Sequence, residues 1–304
     1  MKLLVEKLSE YRTFAINNGL IIEYIGLNFL TSTESLKVYY RPDYSLINCP
    51  KNVFTEELLK KYFGDKLAKL CEKYLLKGKN YHLLDISFKT TKSYVDTRCS
   101  IKASEKYNNI SSIYTFLTKI GFIKTIDEIT RIREYIHLNN SVSLDPLYVI
   151  GFSYRDEKIT SLKTYYRFSK YEIVDDYANF DKQHMDDCNI FKNIVTLCEI
   201  SEKLENKLYQ FFLILNKAKF FIDFMGVDFS LDGDKFFKIY FKNSEGNCAD
   251  NAIRAILDLS INREYIEEIL QSMRNLCSSN FKIDAIGIAF NKERVLKYQI
   301  YLRE

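Results

Sequence analysis

The chain has 304 residues, 47% of them hydrophobic and 28% charged, the make-up of a folded globule and not of a disordered chain. A net charge of +4 with no block of like charge gives no footing for nucleic acid, and no apolar run reaches the length of a membrane span. The 7 cysteines are scattered, odd in number and never spaced as CxxC, which argues for reduced thiols in a cytoplasm and against a disulfide frame or zinc knuckle.

Residues 2–18 carry an amphipathic helical pattern that stops at Gly19; early charge at Lys2, Glu6 and Lys7 makes this no signal peptide. A strand pair follows, Ile25-Gly26-Leu27-Asn28-Phe29 and then Leu36-Lys37-Val38-Tyr39-Tyr40-Arg41, joined by the polar Thr31-Ser32-Thr33-Glu34. Residues 53–77 predict a helix or helix pair interrupted near Gly64. A degenerate strand pair comes next, Leu84-Asp85-Ile86-Ser87-Phe88 with Thr97-Arg98-Cys99-Ser100-Ile101-Lys102. Helices are predicted over 110–120 and 125–138, split by Gly121. The third pair is Ile150-Gly151-Phe152-Ser153-Tyr154 with Leu162-Lys163-Thr164-Tyr165-Tyr166-Arg167. Residues 187–219 predict one long helix or two, and Met225-Gly226-Val227-Asp228-Phe229 with Phe237-Lys238-Ile239-Tyr240-Phe241-Lys242 forms the fourth pair, turning at Asp232-Gly233-Asp234. Helices over 251–259 and 262–277, with Asp250 or Asn251 as the first N-cap, precede the last pair. That pair is Ile286-Gly287-Ile288-Ala289-Phe290 with Tyr298-Gln299-Ile300-Tyr301-Leu302-Arg303.

One phrase therefore recurs at positions 26, 85, 151, 226 and 287. Because side chains alternate along a strand, Lys37, Tyr39 and Arg41 share one face while Leu36, Val38 and Tyr40 share the other. The apolar set suits the cover of amphipathic helices. The cation–phenol set then points the opposite way. The expectation is an α+β fold: a closed ten-stranded antiparallel β-barrel of five ααββ repeats, helices outside and a ligand-binding lumen inside, as one domain over 1–304.

The expected lumen carries Lys37, Arg41, Arg98, Lys102, Lys163, Arg167, Lys238, Lys242 and Arg303. Burying several cations is strongly unfavourable unless a polyanion joins them, and a diphosphate is the natural one. Tyr39, Tyr165, Tyr240 and Tyr301 lie beside them, and aromatic faces both stabilise a cation and exclude water. Basic groups for a leaving diphosphate next to aromatic rings for a carbocation describe prenyl transfer. His82, His137 and His184 have no metal-ligand spacing, and His184 with Asp186 and Asp187 reads as a solvated loop.

The ααββ order, the lumenal Lys-x-Tyr pairs and the closing Gln299-Ile300-Tyr301 resemble the ABBA-barrel (PT-barrel) prenyltransferases, and within them the short cyanobactin-type peptide prenyltransferases. Phe224-Met225-Gly226-Val227-Asp228-Phe229 leading to Lys238-Ile239-Tyr240, and Arg98-Cys99-Ser100-Ile101-Lys102, carry that resemblance. It implies transfer of a dimethylallyl or longer group from its diphosphate to an electron-rich acceptor. Lys37, Arg98, Lys102, Lys163, Arg167, Lys238 and Arg303 would bind the diphosphate, with Tyr39, Tyr165, Tyr240, Gln299 and Tyr301 as the carbocation shield. Mg²⁺ is implied without paired Asp-rich motifs, and no protein metal site is expected. The resemblance also implies an acid on the first barrel strand that accepts the nucleophile's proton. Glu23 matches by distance from Lys37 but needs a bulge to face inward; Asp85 is the second choice and Asp228 the third.

The acceptor expected is a side chain of a macrocyclic peptide, because the chain runs only to Glu304 past the last strand and offers no lid helix. The alternatives are a small aromatic acceptor in the same fold, and a barrel that binds an isoprenoid or phosphate without catalysis.

Overall fold

A computed structural model describes residues 2–29, 34–43, 45, 51–76, 83–90, 95–102, 110–140, 145–168, 180–243 and 282–303. The elements in chain order are α1 (Lys2–Asn17), β1 (Leu20–Phe29), β2 (Glu34–Pro42), α2 (Lys51–Tyr74), β3 (Leu83–Thr90), β4 (Val95–Lys102), α3 (Ile110–Lys119) and α4 (Ile126–Asn140). They continue with β5 (Leu147–Arg155), β6 (Lys158–Arg167), α5 (Phe180–Cys198), α6 (Glu202–Lys217), β7 (Phe220–Ser230), β8 (Lys235–Asn243), β9 (Lys282–Phe290) and β10 (Val295–Arg303). His82 and the helices expected over 251–259 and 262–277 lie outside the described residues.

Each strand pairs antiparallel with its neighbours in sequence, and β1 pairs with β10 as well as with β2, so the sheet closes on itself as a barrel. Local chemistry sets the breaks. Gly64 takes φ 76° and kinks α2, and Gly121 takes φ 89° between α3 and α4. The β5–β6 hairpin closes through only Asp156 and Glu157, both at positive φ, the mirror-image turn whose twist matches paired strands.

The hydrophobic core fills the space between the helices and the outer face of the barrel. Ile25, Ile150, Phe152, Met225 and Ile286 come from the strands, and Leu59, Phe63, Phe116, Ile129 and Phe211 from the helices, each at most 1% exposed. Burying a side chain of this size contributes about 1.5–3 kcal/mol. That gain commits one face of every strand outward and leaves the other face to line the lumen.

The first strand of each hairpin holds a β-bulge at one recurring position. Register slips by one residue at Glu23 in β1, Leu84 in β3, Tyr148 in β5, Asp223 in β7 and Asp284 in β9. Two residues then fall between consecutive outward side chains where strict alternation allows one. In β7 the outward pair is Ile222 and Met225, which leaves Asp223 and Phe224 on the inner wall.

Two expectations are corrected. In the second hairpin Arg98 pairs with Ser87, as Lys37 pairs with Gly26, so Ser87 and not Asp85 occupies the recurring slot; the two share one strand face, and alternation cannot choose between them. Asp187 is not in a loop: α5 begins at Phe180, and Asp187 is wholly buried with Oδ2 accepting from the Ile222 backbone N–H at 3.3 Å.

Candidate active site

Three lysines stand on the inner wall, one from the second strand of each of three hairpins. Lys37, Lys163 and Lys238 are 6%, 6% and 2% exposed. Gln299 fills the same position in β10 and donates through Nε2 to Asn28 Oδ1. Arg98 fills it in β4 by register; the side chains of Arg98, Lys102 and Asp85 lie outside what the structure describes.

The lysines do not rely on a ligand alone for countercharge. Lys238 Nζ donates to Asp228 Oδ2 at 2.8 Å, and Lys163 Nζ lies 3.5 Å from the same oxygen. Burial pushes the Asp228 carboxyl up, but Lys163 and Lys238 outweigh it and hold it well below the ordinary carboxylate range. A carboxylate held that low is a poor proton acceptor. The third-choice base of the sequence reading is therefore an ion-pair partner.

One step along the strands stands the tyrosine tier. Tyr39, Tyr301, Tyr240 and Tyr165 form a continuous arc, with centroids 5.7, 5.8 and 5.8 Å apart in that order. Lys37 Nζ sits 4.0 Å from the Tyr39 centroid. The recurring glycines make room for the rings. A Cβ on Gly26 would meet Tyr39 Cε2 at 2.9 Å, and one on Gly226 would meet Tyr240 Cε2 at 3.2 Å. The arc breaks at β4, where the equivalent position is Ser100.

Beyond the tyrosines comes a second polar tier that strand alternation alone did not separate from the first. Arg41, Lys102, Arg167, Lys242 and Arg303 lie four residues past the lysine position, or roughly 13 Å along a strand. The expected single cation set is therefore two sets, with the phenols between them. Arg303 is half exposed and 4.0 Å from Asp284, and Arg167 stacks 3.9 Å from the Tyr148 centroid.

The bulges bring acids into this second tier. Glu23, Asp223 and Asp284 occupy the bulge positions of β1, β7 and β9, and burial and then these carboxylates push the Tyr24 hydroxyl far up. The bulge that Glu23 needs is present. Burial raises the Asp223 carboxyl to about 6, against the lowering pull of Lys242 and Arg167. Asp223 and Asp284 escaped the sequence reading. Each lies three residues before the recurring glycine, as Glu23 does, but unbroken alternation assigns that position to the outer face.

No protein-family model matches the chain, and neither does any curated protein. Solved structures do. AnaPT from Neosartorya fischeri superimposes with a TM-score of 0.57 at 9% identity, covering 93% of this chain and 78% of its own. The 6-dimethylallyltryptophan synthase from Micromonospora olivasterospora, in complex with DMASPP and Trp, gives a TM-score of 0.58 at 9% identity, covering 94% and 81%. The chain has the fold of the ABBA-barrel aromatic prenyltransferases.

The described residues do not build a seat for Mg²⁺. They contain no group of three metal-ligating side chains, and the Asp228 carboxylate in the lysine tier already takes two ammonium groups on one oxygen. A divalent cation there would face Lys163 and Lys238 at close range.

Proposed function

We propose that this barrel moves a prenyl group from an allylic diphosphate to an electron-rich aromatic acceptor. The observation that carries the reading is the adjacency of buried Lys37, Lys163 and Lys238 to the arc of Tyr39, Tyr165, Tyr240 and Tyr301 inside one lumen. Lys37, Lys163 and Lys238, with Arg98 and Gln299 at the same register, hold the diphosphate. Arg167 and Arg303 belong to the tier beyond the tyrosines and face the acceptor, and Lys102 stands at the same strand position as Arg167.

The carbon–oxygen bond of the donor breaks with its electron pair going to the diphosphate, where ammonium groups stabilise the growing charge. The tyrosine faces stabilise the allylic cation, by roughly 0.5–2 kcal/mol each, and keep water from it. The acceptor attacks from the far side, and a carboxylate of the bulge tier, in which Glu23 stands, takes the released proton. Bound Mg²⁺ would supply charge neutralisation on the diphosphate.

A side chain of a macrocyclic peptide is the narrower acceptor and a small aromatic such as an indole the alternative. The deciding assay uses dimethylallyl and geranyl diphosphates, with and without Mg²⁺. Its acceptors are free tryptophan, free tyrosine and cyclic peptides containing Tyr, Trp, Ser, Arg or His. A prenyl mass increment on an acceptor supports transfer and names its class. Tight donor binding with no product on any acceptor identifies a non-catalytic binding barrel instead.

A further inference from the structure

We propose that Asp223 is the group that takes the acceptor's proton in this reaction, an assignment that rests on the prenyl-transfer reading. Four observations lead to it. The bulge between Ile222 and Phe224 turns Asp223 onto the inner wall, and Asp187 from α5 anchors that bulge by accepting the Ile222 N–H. Along β7 the inner wall presents, in order, Asp228 among the lysines, Gly226 beneath the tyrosine rings, then Phe224 and Asp223. One strand thus spans the diphosphate end, the cation cage and the acceptor end.

Three other carboxylates in the lumen are engaged, Glu23 among them through an interaction of its own. Asp228 is paired with Lys238 and Lys163, and Asp284 faces Arg303 at 4.0 Å. Among the described residues Asp223 makes neither a hydrogen bond nor a close ion pair. Finally, it sits beside an aromatic platform: Phe224 stacks on Tyr148 at 5.4 Å with the planes 18° apart. Arg167 lies over the same pair, 3.9 Å from the Tyr148 centroid and 5.3 Å from that of Phe224, so an acceptor here would meet an aromatic and cationic wall.

The step balances. The acceptor's π or lone pair forms the new bond to the allylic carbon while the donor's carbon–oxygen pair leaves with the diphosphate. The hydrogen on the attacked atom then passes to a carboxylate oxygen of Asp223, and its bonding pair restores the ring or the heteroatom lone pair. Asp223 later returns the proton to water. Lys242 on β8, Arg167 on β6, Asp284 on β9, and Glu23 and Tyr24 on β1 share this end of the lumen. Burial raises Asp223 to about 6 against the two cations, which leaves it ionised yet basic at neutral pH.

The test compares wild type with Asp223→Asn and Asp223→Glu, using dimethylallyl diphosphate with L-tryptophan, L-tyrosine and a Tyr- and Trp-containing cyclic peptide as acceptors. The expected result is a loss in kcat of about 100-fold or more in Asp223→Asn. Binding of the donor analogue DMASPP should stay within twofold, and Asp223→Glu should recover part of the rate. Wild-type kcat should climb with pH through about 6, and the residual rate of Asp223→Asn should lack that limb. Asp223→Asn turnover within threefold of wild type, or an unchanged acid limb, overturns the assignment and leaves prenyl transfer standing. If Asp223→Asn does not fold, the Asp223→Glu profile decides: an unmoved limb overturns the assignment. Donor binding by wild type with no acceptor prenylated overturns prenyl transfer itself, and this assignment with it.

Discussion

Lys238 and Asp228 meet at 2.8 Å inside the barrel, and Lys163 reaches the same carboxylate oxygen from the strand on the other side of β7. The pair sits where the donor's diphosphate is proposed to lie, so it stabilises the empty barrel and tunes the charge left for the ligand. Replacing Asp228 with Asn removes the buried carboxylate that Lys163 and Lys238 share. Stability should fall by about 3–5 kcal/mol in urea unfolding at neutral pH. Added pyrophosphate should return part of it.

The pH dependence has a definite sign. Lys163 and Lys238 hold the folded-state carboxyl of Asp228 below its unfolded value of about 3.9. Its contribution to stability is present above that value and lost as pH falls toward the folded one. Wild type should lose this increment on acidification below about pH 4, and Asp228→Asn should not.

Removing one lysine tests the donor site directly. Lys163→Met leaves Lys238 on Asp228 and takes one charge from the diphosphate site. A charge-assisted hydrogen bond is worth about 1.5–3 kcal/mol, so pyrophosphate or DMASPP affinity should fall roughly 10- to 100-fold by calorimetry. Unchanged affinity would place the diphosphate elsewhere.

The glycines separate a packing role from a turn role. Gly26→Ala puts a Cβ 2.9 Å from Tyr39 Cε2 and must displace that ring, at a cost of about 1–3 kcal/mol and with loss of turnover. Gly233→Ala has nothing within 4 Å but sits at φ 94°, so it should cost about 1 kcal/mol of backbone strain and leave turnover intact. Thermal melts read beside product formation distinguish the two.

Tyr240 bridges Tyr165 and Tyr301 in the arc. Tyr240→Phe keeps the π face and should preserve the partition between transfer and donor hydrolysis. Tyr240→Leu removes a stabilisation of about 0.5–2 kcal/mol and opens a path for water, raising hydrolysis over transfer by roughly 2- to 30-fold.

Asp223 carries the opposite linkage from Asp228. Burial lifts its folded-state value to about 6, so the folded protein holds a proton that the unfolded chain has already released. Stability is therefore lost as pH rises from about 4 to 6, and the loss persists above. Asp223→Asn should melt higher than wild type at pH 7.5, by about 1–3 kcal/mol after allowance for its partial exposure, with little difference near pH 4. A group that costs stability while its removal costs rate is placed for chemistry.

How far the residues alone reached can be seen on β7. The alternation Met225, Val227, Phe229 against Gly226, Asp228 is plain in the letters, and it assigned Lys238 and Tyr240 to the lumen correctly. What alternation cannot contain is a bulge, because an extra residue depends on cross-strand register. Asp223 was missed for that reason. Asp85 was taken for the recurring slot in place of Ser87 because the two share a strand face, and only the pairing of Ser87 with Arg98 decides between them.

Period-two patterning, repeated five times, determined by itself that this chain would turn one apolar face outward and gather lysines and tyrosines on the other, since burying apolar surface is the dominant favourable term and a strand has only two faces. The tertiary structure alone decided that Asp228 stands between two lysines and that bulges place Glu23, Asp223 and Asp284 at one recurring position of their strands. Those relationships join side chains on different strands, and only the register of a closed sheet brings them together.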